Sequence, residues 1–196
     1  MTMTNYLACP TEIVEAPVDV VWKLLTDISG WGSFFDLRVI SVEPPGLAAK
    51  GQRMFGETGP RWLHLGGSFE YTLIDETHYK LEMDVRLSLG MTVHEALDCV
   101  PLEGGRCRVN YHCNFGFPGG WRGRLMRVLL SRGLREGPAD SLLRLKRAAE
   151  QEHRGRKAGR RTFRYVKKHA ESYPEYLLQA PLPNSSLKRT AADGLR

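Results

Sequence analysis

Between Tyr79 and Phe117 the odd-numbered residues Tyr79, Leu81, Met83, Val85, Leu87, Leu89, Met91, Val93, Leu97, Cys99, Cys107, Val109, Tyr111, Cys113, Phe115 and Phe117 are apolar or weakly polar. Outside the Pro101–Gly105 turn, Glu95 is the one exception. The even positions Lys80, Glu82, Asp84, Arg86, Arg106, Arg108, Asn110 and His112 are polar. Side chains alternate across a strand with period two, so a parity that survives several turns means several strands presenting one apolar face to a shared interior. An antiparallel sheet wet on one side reads this way, whereas a parallel sheet covered on both sides is apolar throughout. Such a sheet needs a cover for its inner face.

The cover is legible downstream. After Pro118-Gly119-Gly120 the apolar residues Trp121, Leu125, Val128, Leu129, Leu142, Leu145 and Ala149 recur at three and four positions, which predicts an amphipathic helix over about 121–152. Pro138 lacks an N–H and clashes with the preceding turn, so a kink or break is expected near Gly137. Upstream, Tyr6 to Glu15 is extended in character, and Pro17 opens a helix running through Val20, Val21, Leu24 and Leu25 to Asp27, with Trp22 on a packing side. Ser29-Gly30 ends that helix and leaves Trp31 to Phe35 room for a second short one. Further strands are expected at Leu37–Glu43, Gln52–Thr58 and Gly66–Ile74, the last keeping odd parity through Phe69, Tyr71 and Leu73. Two further hairpins turn near Gly90 and at Glu103-Gly104-Gly105. The class is α+β with about seven strands.

At 196 residues, 42% hydrophobic and 26% charged, the chain has the make-up of one ample folded domain, placed at residues 1–152. The net charge of +6 invites a nucleic-acid reading, but up to Glu152 there are 17 Lys and Arg against 19 Asp and Glu. Beyond it there are 11 against 3, so the basicity belongs to residues 153–196. A near-neutral body gives no reason to expect a specific nucleic-acid partner. The tail is expected to be mostly disordered, with the pattern of a marginal helix at Thr162–Leu178, and an interaction role through it is one reading of the chain. No run approaches the roughly 20 apolar residues of a bilayer-crossing helix, and Met1 to Pro10 lacks a basic region followed by a hydrophobic one. A cytoplasmic location is the expectation.

Strand, two short helices, an antiparallel run and one long closing helix is an order with a known counterpart. The segment Ile13-Val14-Glu15-Ala16-Pro17-Val18-Asp19-Val20-Val21-Trp22-Lys23-Leu24-Leu25-Thr26-Asp27, then Trp31, and the closing Leu142-Leu143-Arg144-Leu145-Lys146 carry it. Over about residues 6–152 the sequence resembles the START-like (SRPBCC) superfamily, which includes polyketide cyclases and lipid-transfer proteins. The resemblance implies a helix-grip fold, a curved sheet around the long C-terminal helix with an apolar cavity between them. It implies a fold more than a chemistry. The last stretch, Pro183-Asn184-Ser185-Ser186-Leu187-Lys188-Arg189-Thr190, resembles the translated edge of an integron cassette recombination site, which implies a bacterial, mobile-cassette origin.

Within such a cavity Met83, Val85, Leu87, Val93, Leu97, Val109, Cys113 and Phe115, with Trp121, Leu125 and Leu129 of the helix, are the expected ligand-binding lining, and the partner is a hydrophobic small molecule: a lipid, a polyketide or an aromatic metabolite. Phe34, Phe35, Trp62 and Leu65 are candidate portal residues. Glu95 is the sharpest candidate for chemistry, because an unpaired charged carboxylate on an apolar face costs several kcal/mol (~2–7 for even a neutral polar group). If the last turn is centred on Glu103, positions summing to 206 pair and Tyr111 faces Glu95, an acid and a phenol suited to anchoring a carbonyl or hydroxyl. The same pair suits the proton transfers of a polyketide cyclase or dehydratase. A bulge that turns Glu95 outward to an arginine is the third placement.

The remaining candidates are weaker. The same register brings Cys99 opposite Cys107, so a disulfide is conceivable there, but without paired C-x-x-C spacing the four cysteines read first as small buried hydrophobes. His78, His94 and His112 fall on the solvent parity, His94 and His112 as cross-strand neighbours, and His64 lies in the Gly59–Gly67 loop. Two imidazoles without a third ligand make a poor metal site. No phosphate loop, nucleophile elbow or metal-binding helix motif is present, so neither metal nor cofactor is expected. Arg122, Arg124, Arg127, Arg132, Arg135, Arg144 and Arg147 read as the solvated face of the last helix, or as a surface for a membrane or an acidic partner.

Overall fold

A computed structural model of the chain describes residues 4–59 and 65–157. The expected tail beyond 157, its marginal helix, the cassette-like end, Trp62 and His64 lie outside these residues.

Among the described residues eight strands form a single antiparallel sheet, one more than expected. The first extended segment divides at Cys9-Pro10 into β1 (Thr4–Ala8) and β2 (Thr11–Val14), both paired to the last strand. Proline has no N–H to give a ladder. Instead its carbonyl accepts from the Tyr111 N–H at 3.0 Å, between the two pairings. The remaining strands are β3 (Leu37–Glu43), β4 (Arg53–Thr58), β5 (Leu65–Asp75), β6 (Lys80–Leu87), β7 (Thr92–Leu102) and β8 (Arg106–Phe117). Their order across the sheet is β1-β8-β7-β6-β5-β4-β3, so every pair after β3 is a hairpin neighbour.

The inner face is built from cross-strand rows. One runs Val42, Met54, Phe69, Val85, Val93, Phe115, Tyr6; the next runs Tyr71, Met83, Glu95, Cys113, Ala8. The odd parity holds on β6, β7 and β8, with two local departures. A bulge between Tyr71 and Leu73 sets Leu73 opposite the polar Glu82 and brings Ile74 into the row of Leu81. Leu89 leaves the pattern because Ser88–Gly90 is a 3-10 turn in which Leu89 takes φ 65° and lies exposed.

Helix α1 (Val18–Thr26) starts directly after Pro17, whose fixed φ suits a helix entry, and buries Val20, Val21, Trp22 and Leu25. Trp22 meets Tyr79 edge-on at 5.8 Å. The second short helix is a 3-10 segment, Ile28–Ser33, locked to the first by Trp31 Nε1 donating to the Leu25 carbonyl at 2.9 Å.

Helix α2 (Trp121–Lys157) is continuous through Pro138, with no break at Gly137. The tertiary contacts around it outweigh the hydrogen bond that proline removes. Leu142, Leu145 and Ala149 are buried in the main core, each large apolar side chain contributing roughly 1.5–3 kcal/mol. Polar contacts also hold its second half: Arg144 pairs with Asp36 at 2.9 Å, and Lys146 Nζ donates to the Ile13 carbonyl at 2.6 Å and to Glu12 at 3.3 Å. Leu130 and Leu134, earlier on α2, form a second cluster with Leu65, Met91 and Phe117.

Gly123 sits in the first turn of α2, where a Cβ would land on the Pro118 carbonyl oxygen, whereas a Cβ at the exposed Gly133 meets nothing within 4 Å. Gly123→Ala is expected to destabilise the fold by about 1–3 kcal/mol. Gly133→Ala is expected to stabilise it by ~0.5–1 kcal/mol. Urea midpoints of the two variants check the pair, and equal midpoints would contradict the packing of the α2 start against Pro118.

Candidate functional site

The site begins with a turn. Glu103-Gly104-Gly105 connects β7 to β8 with Gly104 at φ 76° and Gly105 at φ 70°, conformations that glycine takes without a Cβ clash. The pairing Leu102 to Arg106 centres the hairpin on Gly104, not Glu103. Paired positions therefore sum to 208, and Glu95 lies directly opposite Cys113 while Tyr111 lies opposite Leu97. The slip is two residues, so every side chain keeps its face.

Glu95 points inward, and the outward bulge does not occur. From the diagonal position the Tyr111 phenol donates to Glu95 Oε2 at 2.9 Å, so the expected pair forms through a different register. The residue keeps part of its surface, but its carboxylate is enclosed. Burial pushes its pKa up from 4.5 to about 7, against the lowering effects of the Tyr111 hydrogen bond and the neighbouring His94. Tyr111 itself is held well above its ordinary value, first by burial and then by the Glu95 charge, and so remains a neutral donor.

Aromatic rings surround this pair. Phe35 lies 5.8 Å from the Tyr111 ring, Phe34 4.9 Å from Phe35, and Trp31 4.7 Å from Phe35. Trp31 also meets Tyr71 edge-on at 5.8 Å. Phe34, Phe35 and Leu65 are buried and serve as core, so the portal expected of them is not there. The 3-10 segment and its following residues fold over the sheet because Trp31, Phe34 and Phe35 have no other apolar surface to bury against.

Tyr71 is the site residue that the sequence reading passed over. Its ring is buried, its hydroxyl has no hydrogen-bond partner among the described residues, and the Glu95 charge adds to burial in holding its pKa far up. Two phenols and a carboxyl thus share the inner face: Tyr71 and Glu95 lie in one cross-strand row with Met83 between them, and Tyr111 lies in the next row. The available signal was a phenol on inner parity, since a buried tyrosine hydroxyl ordinarily requires a partner.

The expected lining divides in two. Met83, Val85, Val93, Leu97, Val109 and Cys113 are buried on the inner face, and Leu87 and Phe115 are half-buried beside them. Leu87 and Phe115 also touch both apolar clusters. Trp121, Leu125 and Leu129 are corrected: all three are exposed. At the start of α2 the buried stripe is Gly123, Leu130 and Leu134, about half a helical turn away.

The cysteines are free thiols. With the hairpin centred on Gly104, Cys99 pairs with Val109 and Cys107 with Pro101, so the imagined facing pair does not form. Burial pushes Cys107 up to about 11 and Cys99 and Cys113 further, which leaves them protonated and unreactive. His94 faces solvent and bonds Asp84 at 2.8 Å, and His112 pairs with Ala96 instead of His94. Among the described residues no three His, Cys, Asp or Glu side chains come together as metal ligands, and no helix is long and apolar enough to cross a membrane.

The family model described as polyketide cyclase / dehydrase and lipid transport matches residues 11–150. Among solved structures, Zhui aromatase/cyclase from Streptomyces sp. R1128 aligns with a TM-score of 0.60 at 15% identity, over 76% of this chain and 96% of that one. Truncated norcoclaurine synthase from Thalictrum flavum aligns at 0.55 and 14% identity, over 75% and 94%. A protein from Thermus thermophilus aligns at 0.59 and 17%, over 74% and 97%. At such identities the likeness shows the fold alone: the helix-grip arrangement of curved sheet and long helix. No curated protein sequence matches the chain.

The raised Glu95 pKa has a consequence for stability. Between 4.5 and about 7 the folded chain holds a proton that the unfolded chain has released, so stability falls as pH rises through this window and levels off above it. Relative to Glu95→Gln, the native protein is expected to lose about 1–2 kcal/mol across that window, less than a fully enclosed acid because Glu95 keeps part of its surface. Urea unfolding of both proteins along a pH series measures it, and parallel curves would show that Glu95 titrates normally.

Proposed function

Because the chain belongs to the polyketide cyclase / dehydrase and lipid transport family, we propose that it binds a hydrophobic small molecule carrying a carbonyl or hydroxyl group between the sheet and the helices. The observation that carries this reading is the Tyr111–Glu95 hydrogen bond on a face otherwise apolar, with the unpartnered Tyr71 hydroxyl in the same row system. Apolar walls supply affinity, and a few placed polar groups supply orientation. Tyr71 donates to the ligand oxygen, while protonated Glu95 can donate and ionised Glu95 can accept. Met83, Val85, Leu87, Val93, Leu97, Val109, Cys113 and Phe115 form the apolar side of the site. The row chemistry suits lipids, polyketides and aromatic metabolites alike, with the polar anchor favouring an oxygenated ligand.

A second reading, a cyclase or dehydratase activity, rests on the Glu95 pKa of about 7. Near neutral pH both of its forms are populated, as proton transfer in either direction requires. As carboxylate, Glu95 would take the proton from the carbon beside a ligand carbonyl. As acid, it would return that proton to a β-hydroxyl, which leaves as water while the carbon–carbon double bond forms. Tyr111 and Tyr71 stay neutral in this scheme: Tyr71 holds the carbonyl oxygen, and Tyr111 donates to the Glu95 carboxyl.

Native mass spectrometry of the purified chain is expected to show a retained hydrophobic molecule of defined mass. Tyr71→Phe should weaken that ligand about 5- to 10-fold, the worth of one hydrogen bond. A chain that carries nothing and whose Trp31 emission is unmoved by aromatic ketones, fatty acids or sterols would sink the binding reading. For the second reading, a β-hydroxy ketone should lose water in the presence of the native chain and persist with Glu95→Gln; equal rates would exclude Glu95 as the acid–base group.

A further inference from the structure

The first half of α2 has apolar residues on two opposite sides. Leu130 and Leu134 face the sheet and are buried, while Trp121, Leu125, Val128 and Leu129 are 71%, 49%, 69% and 57% exposed. At 3.6 residues per turn these four fall on one outward stripe at spacings of four, three and one. Five arginines, Arg122, Arg124, Arg127, Arg132 and Arg135, share the same stretch, and no acid occurs before Glu136. Glu136 pairs with Arg132 at 2.8 Å, and Arg122 stacks on Trp121 at 5.7 Å. Arg122 and Arg124 flank the stripe on its two sides, whereas Arg127 falls on the side of Leu134.

We infer that this face of α2 docks on an anionic phospholipid surface. Four considerations select that occupant. The stripe is a convex ridge opposite the buried side of the helix, which suits a planar surface. Its apolar side chains include a tryptophan at one end, and its flanks are arginines whose stems can lie along the acyl boundary with their charges in the headgroups. The segment of this chain outside the described residues, 158–196, holds 8 Lys and Arg against 3 Asp and Glu, so like charge opposes its lying along this face. A second copy presented symmetrically would set arginine against arginine. An anionic lipid surface satisfies both the apolar and the cationic halves of the stripe. The inference is independent of the ligand proposed for the interior, since none of these residues reaches the inner face.

Co-sedimentation of the full chain tests it, using vesicles of phosphatidylglycerol and phosphatidylcholine in equal parts and of phosphatidylcholine alone. The native chain should sediment with the first and stay in solution with the second, and the pairing should weaken with salt. Val128→Glu with Leu129→Glu should reduce sedimentation about tenfold or more, with thermal midpoint and circular dichroism unchanged because both positions are exposed. Arg122→Glu with Arg124→Glu should reduce it as well. Undiminished sedimentation of the Val128/Leu129 variant would overturn the inference and move the contact to the basic tail. No sedimentation of the native chain would overturn it in favour of an acidic protein groove.

Discussion

The register of β7 against β8 is the constraint on which the site depends. It is set at Gly104 and Gly105, whose left-handed backbone allows a three-residue connection, and it propagates along the longest pairing of the sheet. That register puts Glu95 opposite Cys113, with Tyr111 one diagonal away on the same face, and the β6 pairing sets Met83 on its other side. The carboxyl then has one donor and apolar neighbours, and its charge is disfavoured as a direct result. The same strand carries Phe115 and Phe117 into the two apolar clusters, so the turn also determines how the interior divides.

The division of the interior gives the fold its functional shape. One cluster gathers α1, the 3-10 segment and the far half of α2 over the sheet; the other gathers Leu130 and Leu134 with Met91 and Phe117. Half-buried Phe115 and Leu87 join them. Helix α2 therefore does two jobs along its length, sealing the core with Leu142, Leu145 and Ala149, and presenting an apolar, arginine-flanked ridge to the outside near its start. Pro138 lies between these halves, and the ion pairs Arg144–Asp36 and Lys146–Glu12 tie down the second.

Strand faces were legible in the sequence because side-chain parity needs only a count. Register was less so. A hairpin centred on Glu103 and one centred on Gly104 differ by two residues and leave every parity unchanged, so the pairing of Glu95 with Tyr111 was anticipated as a direct neighbour and found as a diagonal contact. The phenol is long enough to reach either way. The β5 bulge that exchanges Leu73 for Ile74 left no mark in composition, because both are apolar. On α2 the spacing of Trp121, Leu125 and Leu129 is helical as read, but spacing does not say which of two apolar faces meets the core. At Tyr71 parity reports the side of the ring and nothing of whether its hydroxyl finds a partner.

The central claim is that Glu95 is an enclosed acid available to an oxygenated ligand. Carbon-13 NMR of the glutamate side-chain carboxyls along a pH titration, with Glu95→Gln to assign the resonance, addresses it directly. One carboxyl should titrate near 7 and should rise further in Tyr111→Phe, since the donated hydrogen bond that favours the ionised form is then lost. If every glutamate instead titrates near 4.5 and Tyr111→Phe shifts none of them, Glu95 faces water and the polar anchor does not exist.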